Sequence, residues 1–345
     1  MEQPTPYLAQ PPAPKRTGWI VYSVIATFFL VLSVLANFAL LALLIGGTAT
    51  LFEGRHHQLY EEVYLQGDTG ARNKIAVIYL SGIIYDGEMS DEGVVGDIKA
   101  QLDQAAEDKH VKAIVLRINS PGGEVVASDA IYQSLAQVRD EDHKPIVACI
   151  ESVGASGAYY AAMGCSHVMA TDLTLTGSIG VIMESFNFGG LMDKVGVKLH
   201  TFKSGKYKDL LNPTREPTED EKAMVNTLIM EVYDKFVGIV AKERKLDVNE
   251  LKSTLADGRV LSGTQALKGK LIDELGYFDD AVDKAMELGK VKTAKVIAYR
   301  APFSFRHLFR FFGESKAAKI QIQVGPTLPK LESGKLYFLP AYMFQ

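Results

Sequence analysis

The sequence is poor in the residues that build metal centres and disulfide frameworks. Its 345 residues include two cysteines and seven histidines, and no His, Cys or Asp group has metal-ligand spacing. A metal hydrolase is therefore not expected, and no histidine lies in a recognisable catalytic-triad setting. Cys149 and Cys165 both lie in apolar stretches, so we expect buried thiols rather than a disulfide.

The chain also lacks an excess of basic charge. Its formal net charge is −4, which argues against nucleic acid as a main partner. No internal repeat stands out. The length and the composition of 47% hydrophobic residues fit one large globular domain or two small ones.

Charged residues are absent from Gly18 to Gly47, and the run Ile20–Ile45 is nearly all apolar. At about 1.5 Å per residue, this run is long enough to cross a bilayer. A signal-peptide core would be shorter, and the run continues past the small residues at Ala36–Ala39. We therefore predict a transmembrane anchor over residues 18–47 rather than a cleaved signal peptide or a buried soluble helix.

The flanking charges predict the orientation of this anchor. Lys15 and Arg16 precede it, whereas Glu53 and Arg55 follow it, so the N-terminus is expected in the cytoplasm. Residues 1–17 contain five prolines and predict a short disordered cytoplasmic tail. We expect a single-pass protein of the cell membrane whose main domain, residues 53–299, lies outside the cytoplasm.

The main domain alternates strand-like and helix-like segments, which predicts an α/β fold with a largely parallel sheet covered on both faces. Strands are predicted at Ile75–Leu80, Ala113–Ile118, Ile146–Glu151, His167–Ala170 and Lys198–Phe202, and helices at Val94–Glu107, Val125–Val138, Ser156–Met163 and Thr218–Arg244. The last helix has a capping box of Thr218 and Glu221. An apolar stripe follows the box at every fourth position: Met224, Leu228, Val232, Phe236 and Val240.

Two glycine-bearing turns follow predicted strands. Asn119–Gly123 comes after the run Ala113–Leu116, and Ala155–Ala158 comes after Ile146–Ile150. Parallel strands place their carboxyl ends at one edge of the sheet, where ligands bind. A Gly-Gly turn leaves backbone N–H groups free there, and a serine beside glycine holds up a hydroxyl. Oxyanion donors beside an exposed hydroxyl indicate acyl-transfer chemistry.

A serine nucleophile needs a group that removes its proton, and without a suitable histidine the candidate is a neutral lysine. Free lysine has a pKa of about 10.4, and lowering it to about 7–8 takes roughly 4 kcal/mol of desolvation or like-charge repulsion. Five lysines crowd one stretch of the chain: Lys194, Lys198, Lys203, Lys206 and Lys208. The glycine turn Ser204–Asp209 can aim one of them inward, and the residues themselves leave Lys206 and Lys208 both open.

Five motifs in order resemble a known family. They are Ile118–Gly123, Ala155–Tyr160, Thr176–Val181, Lys203–Asp209 and Ala256–Val260. Over residues 74–285 the chain resembles the short form of the signal peptide peptidase A family, membrane-anchored Ser–Lys peptidases. The resemblance implies the ββα superhelix shared by the Clp protease and the crotonases, here with an N-terminal transmembrane helix.

The resemblance also implies roles for particular residues. Ser156 corresponds to the nucleophile, Lys208 to the general base, and Ser178 to a hydroxyl that orients the lysine amine. The oxyanion donors would be the backbone amides of Gly122 or Gly123 and of Gly157. Two simpler interpretations remain: Ser156 as a helix N-cap, and Ser178 as a residue that satisfies a turn.

The family degrades signal peptides after their release, favours small residues such as alanine before the cleaved bond, and uses no cofactor or metal. Its short form pairs one chain's serine with a neighbour's lysine, which implies a homo-oligomer at a lipid membrane. Three alternatives stay open: a protease of intact membrane proteins, a crotonase-type enzyme acting on acyl-CoA, and a catalytically dead scaffold.

The C-terminal extension, residues 300–345, departs from the compact pattern. Pro302–Phe312 mixes aromatic and basic residues, which fits a membrane-surface contact, a subunit contact or a buried helix. The apolar segment Leu336–Pro340 near the end is a candidate to bind an active groove as a product mimic.

Overall fold

The computed structural model describes residues 17–50, 60–86, 93–301 and 336–338. The chain divides into two units between His57 and Gln58. The predicted tail of residues 1–17, except for Thr17, lies outside the described residues. The aromatic and basic segment Pro302–Phe312 also lies outside them.

The described part of the first unit is the long helix α1 (Thr17–Thr50). Its segment Trp19–Leu41, 23 residues, is long and apolar enough to cross a membrane, and it fits a single-pass anchor. The hydroxyls of Ser23 and Thr27 donate to backbone carbonyls four residues earlier, at 2.9 and 2.8 Å. These polar groups are therefore satisfied inside the helix, as a hydrocarbon environment requires.

The second unit is built around one large sheet. Its elements are β1 (Glu61–Gly67), β2 (Lys74–Ile84), α2 (Val94–Glu107), β3 (Val111–Glu124), α3 (Val125–Asp140), β4 (Ile146–Ala155), α4 (Gly157–Ala162), β5 (His167–Ala170), β6 (Leu175–Gly177), α5 (Gly189–Val195), α6 (Glu219–Arg244), α7 (Val248–Thr254), β7 (Val260–Ser262), α8 (Gly263–Lys268), β8 (Glu274–Leu275), α9 (Phe278–Leu288), β9 (Lys295–Arg300) and β10 (Tyr337–Phe338).

The sheet order β1-β9-β2-β3-β4-β5-β8 is parallel throughout except for β1, which runs antiparallel to β9. β6 continues beside the end of β4 in parallel, with Gly177 opposite Ala155, and pairs β7 antiparallel. β3 and β4 are neighbours and run in the same direction. Their carboxyl ends, which carry the two glycine turns, therefore meet at one edge.

The sheet has a hydrophobic layer on each face, as predicted for an α/β fold. Strand residues alternate between the two layers: Ile75 and Val77 of β2 pack with α9, whereas Ile78 and Leu80 pack with α2, α3, α4 and α6. Cys149 and Cys165 are buried free thiols, as expected. The mixed α/β architecture is confirmed.

α6 begins as predicted at a capping box. Thr218 Oγ1 accepts from the Glu221 amide at 3.3 Å, and the Glu221 carboxylate accepts from the Thr218 amide at 2.8 Å. The apolar stripe of this helix is only half covered. Phe236 is fully buried, whereas Met224 is 37% and Leu228 42% exposed, so the described residues cover the apolar stripe only in part along the first half of α6.

The predicted strand Lys198–Phe202 is wrong. These residues follow α5 as an irregular segment, and Phe202 is 96% exposed. Val197 and Leu199 do alternate with polar residues, but the segment pairs with no strand among the described residues. The alternation of apolar and polar residues therefore wrongly predicted a strand, because a strand also needs a neighbouring strand to pair its backbone N–H and C=O groups.

Candidate active site

Ser156 occupies a strained elbow between β4 and α4. Its φ of 53° and ψ of −118° are uncommon for a residue with a side chain. Its amide donates to Gly177 O and its carbonyl accepts from the Tyr160 amide, both at 2.8 Å, so the elbow is fixed on both sides. Such strain persists only when the surrounding structure imposes it, as at many active sites.

The Ser156 hydroxyl is buried and has no hydrogen-bond partner among the described residues. An N-cap serine would use this oxygen to accept a bond from an amide in the first helical turn, and Ser156 makes no such bond. Capping therefore does not account for this residue. A buried polar atom without a partner points to a missing group, such as a substrate or another side chain.

Two backbone amides converge beside Ser156. A methyl group built on Gly157 would lie 3.0 Å from Gly123 N, and one built on Gly122 would lie 2.6 Å from Gly157 N. Gly122 has a φ of +106°, which favours glycine, and its own amide already donates to Ser120 Oγ at 3.2 Å. The amides of Gly123 and Gly157 are thus the pair suited to receive an oxyanion.

The C-terminal strand β10 lies across these amides. It pairs antiparallel with β3, with Phe338 opposite Gly123 and Tyr337 opposite Glu124. On its other side, Tyr337 exchanges two hydrogen bonds of 3.2 Å with Ile182. The segment Leu336–Phe338 is therefore held between two backbone edges, in the manner of a peptide that adds a strand to a sheet.

The carbonyl of Phe338 faces the amide pair. A methyl group built on Gly122 would lie 2.2 Å from Phe338 O and 2.6 Å from Gly157 N. The carbonyl oxygen and this amide therefore border the same small space. The antiparallel register also directs this carbonyl toward the amide of Gly123. A peptide bound in this register presents one carbonyl to both amides beside the Ser156 hydroxyl.

Ser178 follows β6 at the same edge. It has a φ of 48°, is buried, and its amide donates to Arg259 O at 2.8 Å. The backbone thus satisfies a turn, but the hydroxyl makes no hydrogen bond within the described part of the chain. It lines an open cleft of about 540 Å³ together with residues 179–182, Ile229, Met230, Tyr233 and residues 256–258.

Lys208 does not reach Ser156 within one chain. The Ser156 hydroxyl has no hydrogen-bond partner, and Lys208 is exposed. Lys206, the other lysine that the sequence left open, is ion-paired with Asp220, and this hydrogen bond raises the pKa of Lys206. Among the described residues the Lys208 ammonium makes no ion pair or hydrogen bond. Lys206 is therefore engaged in an ion pair, whereas Lys208 is not.

A charge network that the sequence reasoning missed fixes the turn bearing Lys208. Asp209 accepts from Lys203 at 2.5 Å and from Arg215 at 3.2 Å, and Arg215 forks to Glu221 at 2.8 and 2.6 Å. Hydrogen bonding from Arg215 lowers the pKa of Asp209 and lowers that of Glu221 to about 2. The capping box at Thr218 was the available signal, since it already placed Glu221 at the start of α6.

The segment that precedes the Lys208 turn exposes large apolar side chains. Phe186, Leu191, Val195 and Phe202 are each more than half exposed. We refer to residues 186–202, together with residues 224–228 of α6 that carry the partly exposed Met224 and Leu228, as the apolar arm. Large exposed apolar side chains of this kind are typical of interaction surfaces.

Comparison of the sequence with known proteins identifies its family. The model of peptidase family S49 matches residues 139–292, and the model of Clp protease matches residues 67–174. A protein of Enterococcus faecium named "Putative signal peptide peptidase SppA" is 37% identical over 259 residues, 74% of each chain. The chain belongs to peptidase family S49.

Other relatives agree. A "Putative protease" of Synechocystis is 41% identical over 228 residues, 66% of this chain and 79% of the relative. A "Putative protease" of Methanocaldococcus jannaschii is 36% identical over 233 residues, 66% of this chain and 74% of the relative. The S49 match contains Ser156, Ser178 and Lys208, and the Clp match contains Gly122 and Gly123. S49 membership supports a serine protease on a Clp-protease-like domain, and the resemblance predicted from the motifs is confirmed.

Proposed function

We propose that this chain is a membrane-anchored serine endopeptidase with a Ser156–Lys208 dyad that degrades cleaved signal peptides. One observation carries the proposal. The buried, partnerless hydroxyl of Ser156 lies beside two converging amides, and a peptide strand is seated across them with its carbonyl directed at the pair.

The chemistry follows from these positions. Neutral Lys208 takes the proton as the Ser156 oxygen attacks the carbonyl carbon, and the amides of Gly123 and Gly157 stabilise the resulting oxyanion. The protonated lysine then gives its proton to the leaving amine, and water releases the acyl group from Ser156. Ser178 orients the lysine amine through its free hydroxyl, and Gly122 supplies the backbone conformation that exposes the amide of Gly123.

Lys208 comes from a second copy of the chain. A lysine that acts as a base near neutral pH must lose about three pKa units, or roughly 4 kcal/mol, to burial or nearby positive charge. Exposed Lys208 receives no such burial in a single chain. The apolar arm beside it and the open cleft at Ser178 are complementary features for an assembly that buries this lysine. A homo-oligomer with shared dyads therefore fits the structure best.

The substrate class follows from the anchor and the groove. α1 holds the enzyme at the membrane with its N-terminus in the cytoplasm and residues 53–299 outside, near peptides released there. The groove itself seats the apolar segment Leu336–Phe338. Intact membrane proteins are a second candidate substrate, because the same anchor brings them equally close.

Single substitutions test the dyad in the full-length chain reconstituted in detergent. Ser156→Ala and Lys208→Ala should each abolish hydrolysis of a hydrophobic peptide, while the matched variant Lys206→Ala should retain it. The reverse pattern for the two lysines would refute the choice of base. Labelling of Ser156 by a fluorophosphonate separates a peptidase from a crotonase-type enzyme, which has no activated serine.

Mixing tests the shared site. Subunits of the Ser156→Ala and Lys208→Ala variants should together regain part of the lost turnover, because some sites then combine an intact serine with an intact lysine. No recovery, in a mixture shown to exchange subunits, would contradict a dyad that spans two copies.

A further inference from the structure

An ion pair lies at the rim of the cleft that contains Ser178. Asp257 and Tyr233 are the titratable side chains among the described residues that line this cleft. Arg259 forks onto the Asp257 carboxylate, since its Nε donates to Oδ1 at 2.7 Å and its Nη2 donates to Oδ2 at 2.5 Å. The Arg259 amide also donates to Oδ1, at 3.2 Å. The negative charge beside the cleft is therefore matched by a positive charge that is held in place.

The backbone connects this ion pair to Ser178. The Ser178 amide donates to Arg259 O at 2.8 Å, which continues the antiparallel pairing of β6 with β7. Residues opposite each other in such a pair have Cα atoms about 4.5–5.5 Å apart, so the charges lie on the order of 10 Å from the Ser178 hydroxyl. This hydroxyl is the one assigned above to orient the lysine amine.

We infer that Arg259 is a positioning residue that neutralises the Asp257 carboxylate, so that Lys208 of a second copy of the chain stays uncharged when it enters the cleft. The inference rests on the proposed function, because it takes Lys208 as the base and Ser178 as the hydroxyl that orients its amine. In this arrangement Asp257 and Arg259 do not touch the reacting atoms. They act through the charge of the lysine.

An unpaired carboxylate at this rim would oppose the chemistry. A negative charge favours the ammonium form of a nearby lysine and raises its pKa, whereas the general base has to lose about three pKa units. Hydrogen bonds from Arg259 lower the pKa of Asp257 to about 2, so this carboxylate is ionised at neutral pH and well below it. Protonation cannot remove the charge there, and a fixed cation is needed to offset it.

Neighbouring titratable groups on α6 and α7 do not supply this cation. Burial raises the pKa of Tyr233, which stays neutral near pH 7 and donates its hydroxyl to Ala256 O at 2.7 Å. Lys252 lies 5.6 Å from the centre of the Tyr233 ring but is paired with Asp234 at 2.7 Å. The charged neighbours of Lys208 on its own turn also form pairs, which are Lys203 with Asp209, Arg215 with Asp209, and Lys206 with Asp220.

Opposite shifts of the pH profile test this role in the full-length assembled enzyme. The kcat/KM for a hydrophobic peptide should rise with pH through the pKa of the base. Arg259→Gln leaves Asp257 unpaired and should move this rise to higher pH, whereas Asp257→Asn leaves Arg259 unpaired and should move it to lower pH. Each shift should be about half a pH unit for a partly solvated charge, so turnover below the rise should differ roughly tenfold between the two variants.

A double variant separates charge from structure. Asp257→Asn/Arg259→Gln carries neither charge and should return the profile close to that of the wild type, which the loss of a merely structural ion pair would not do. Arg259→Lys keeps the charge and should keep the profile. Lys284→Gln, which removes the ion pair with Glu287 on α9, is the control and should leave the profile unchanged. Salt at about 1 M screens charges beyond roughly 3 Å and should shrink both shifts.

The outcomes separate the two proposals. Shifts in the same direction for both single variants, no shift in either, or a loss of activity that is equal at every pH overturn the role of Arg259 but leave the peptidase intact. A wild type that hydrolyses no peptide and whose Ser156 resists fluorophosphonate overturns the proposed function itself.

Discussion

Gly157→Ala is the most direct perturbation of the oxyanion site. The added methyl group would lie 2.4 Å from Ser128 Oγ, 3.0 Å from Gly123 N and 3.2 Å from Phe338 Cβ. Two separate effects follow. The first contact overpacks the interior between α3 and α4, whereas the other two intrude on the space for the oxyanion and for the bound peptide.

The two effects have different magnitudes and different readouts. Overpacking costs about 1–3 kcal/mol of stability, which lowers Tm by on the order of 5 °C in a domain of this size. Displacement of one oxyanion donor lowers turnover about 10²- to 10³-fold, or roughly 3–4 kcal/mol of transition-state stabilisation. Thermal unfolding and peptide hydrolysis therefore measure them independently.

The double variant Gly157→Ala/Ser128→Ala separates these effects. Removal of Ser128 Oγ relieves the closest contact, so Tm should recover, but the methyl group still meets Gly123 N and kcat/KM should stay low. Ser128→Ala alone should resemble the wild type. Gly238→Ala, where nothing lies within 4 Å, is the control for adding a methyl group to a helix. Full recovery of turnover in the double variant would refute a role for this space in catalysis.

Three further predictions concern the Lys208 turn and the groove. Asp209→Asn removes the negative charge that pairs with Lys203 and Arg215 at this turn, and should lower kcat on the order of 10-fold with little change in KM. Asp220→Asn, which only frees Lys206 from its ion pair, should leave kcat unchanged. Equal losses of kcat in both variants would contradict the role of Asp209 in fixing the Lys208 turn. The lowered pKa of Glu221, to about 2 from an ordinary 4.5, means that its ion pair contributes stability above the ordinary value and loses it as the pH falls toward 2. Chemical unfolding between pH 5 and 2 should show a steeper loss for the wild type than for Arg215→Gln, and parallel curves would exclude this linkage. Phe338→Ala should lower KM for added peptides severalfold at constant kcat, because the chain's own segment Leu336–Phe338 then competes less for the groove beside Ser156. An unchanged KM would mean that the segment does not compete in solution.

The long central elements could be predicted from the sequence because each has a local signal, either a run of apolar residues or a helix cap. Parallel strands covered on both faces appear as apolar runs, which located β2 to β5, and the capping box located the start of α6. The shorter strands β6, β7, β8 and β10 have two or three residues each. Segments of that length have no periodicity to detect, and their pairing depends on distant partners.

The candidate site, like the fold, could be predicted only in part from the sequence. Its glycine turns and Ser156 follow from motifs, but the choice between Gly122 and Gly123 depends on one bond from the Gly122 amide to Ser120 Oγ. The contact that distinguishes Lys206 from Lys208 is the ion pair of Lys206 with Asp220, which lies at the start of α6. Phe338 packs against Tyr160 of α4 and Phe236 of α6, which both precede it by more than a hundred positions, a combination that no local pattern indicates.

The solvent-facing position of Lys208 has a consequence for when the enzyme works. Under the proposed shared dyad, a newly made chain with Lys208 on its surface is latent, and hydrolysis should begin only once enough copies assemble in the membrane. Specific activity should then climb with surface density rather than stay constant. The density of the protein in the membrane would then determine both how much activity is present and when activity begins.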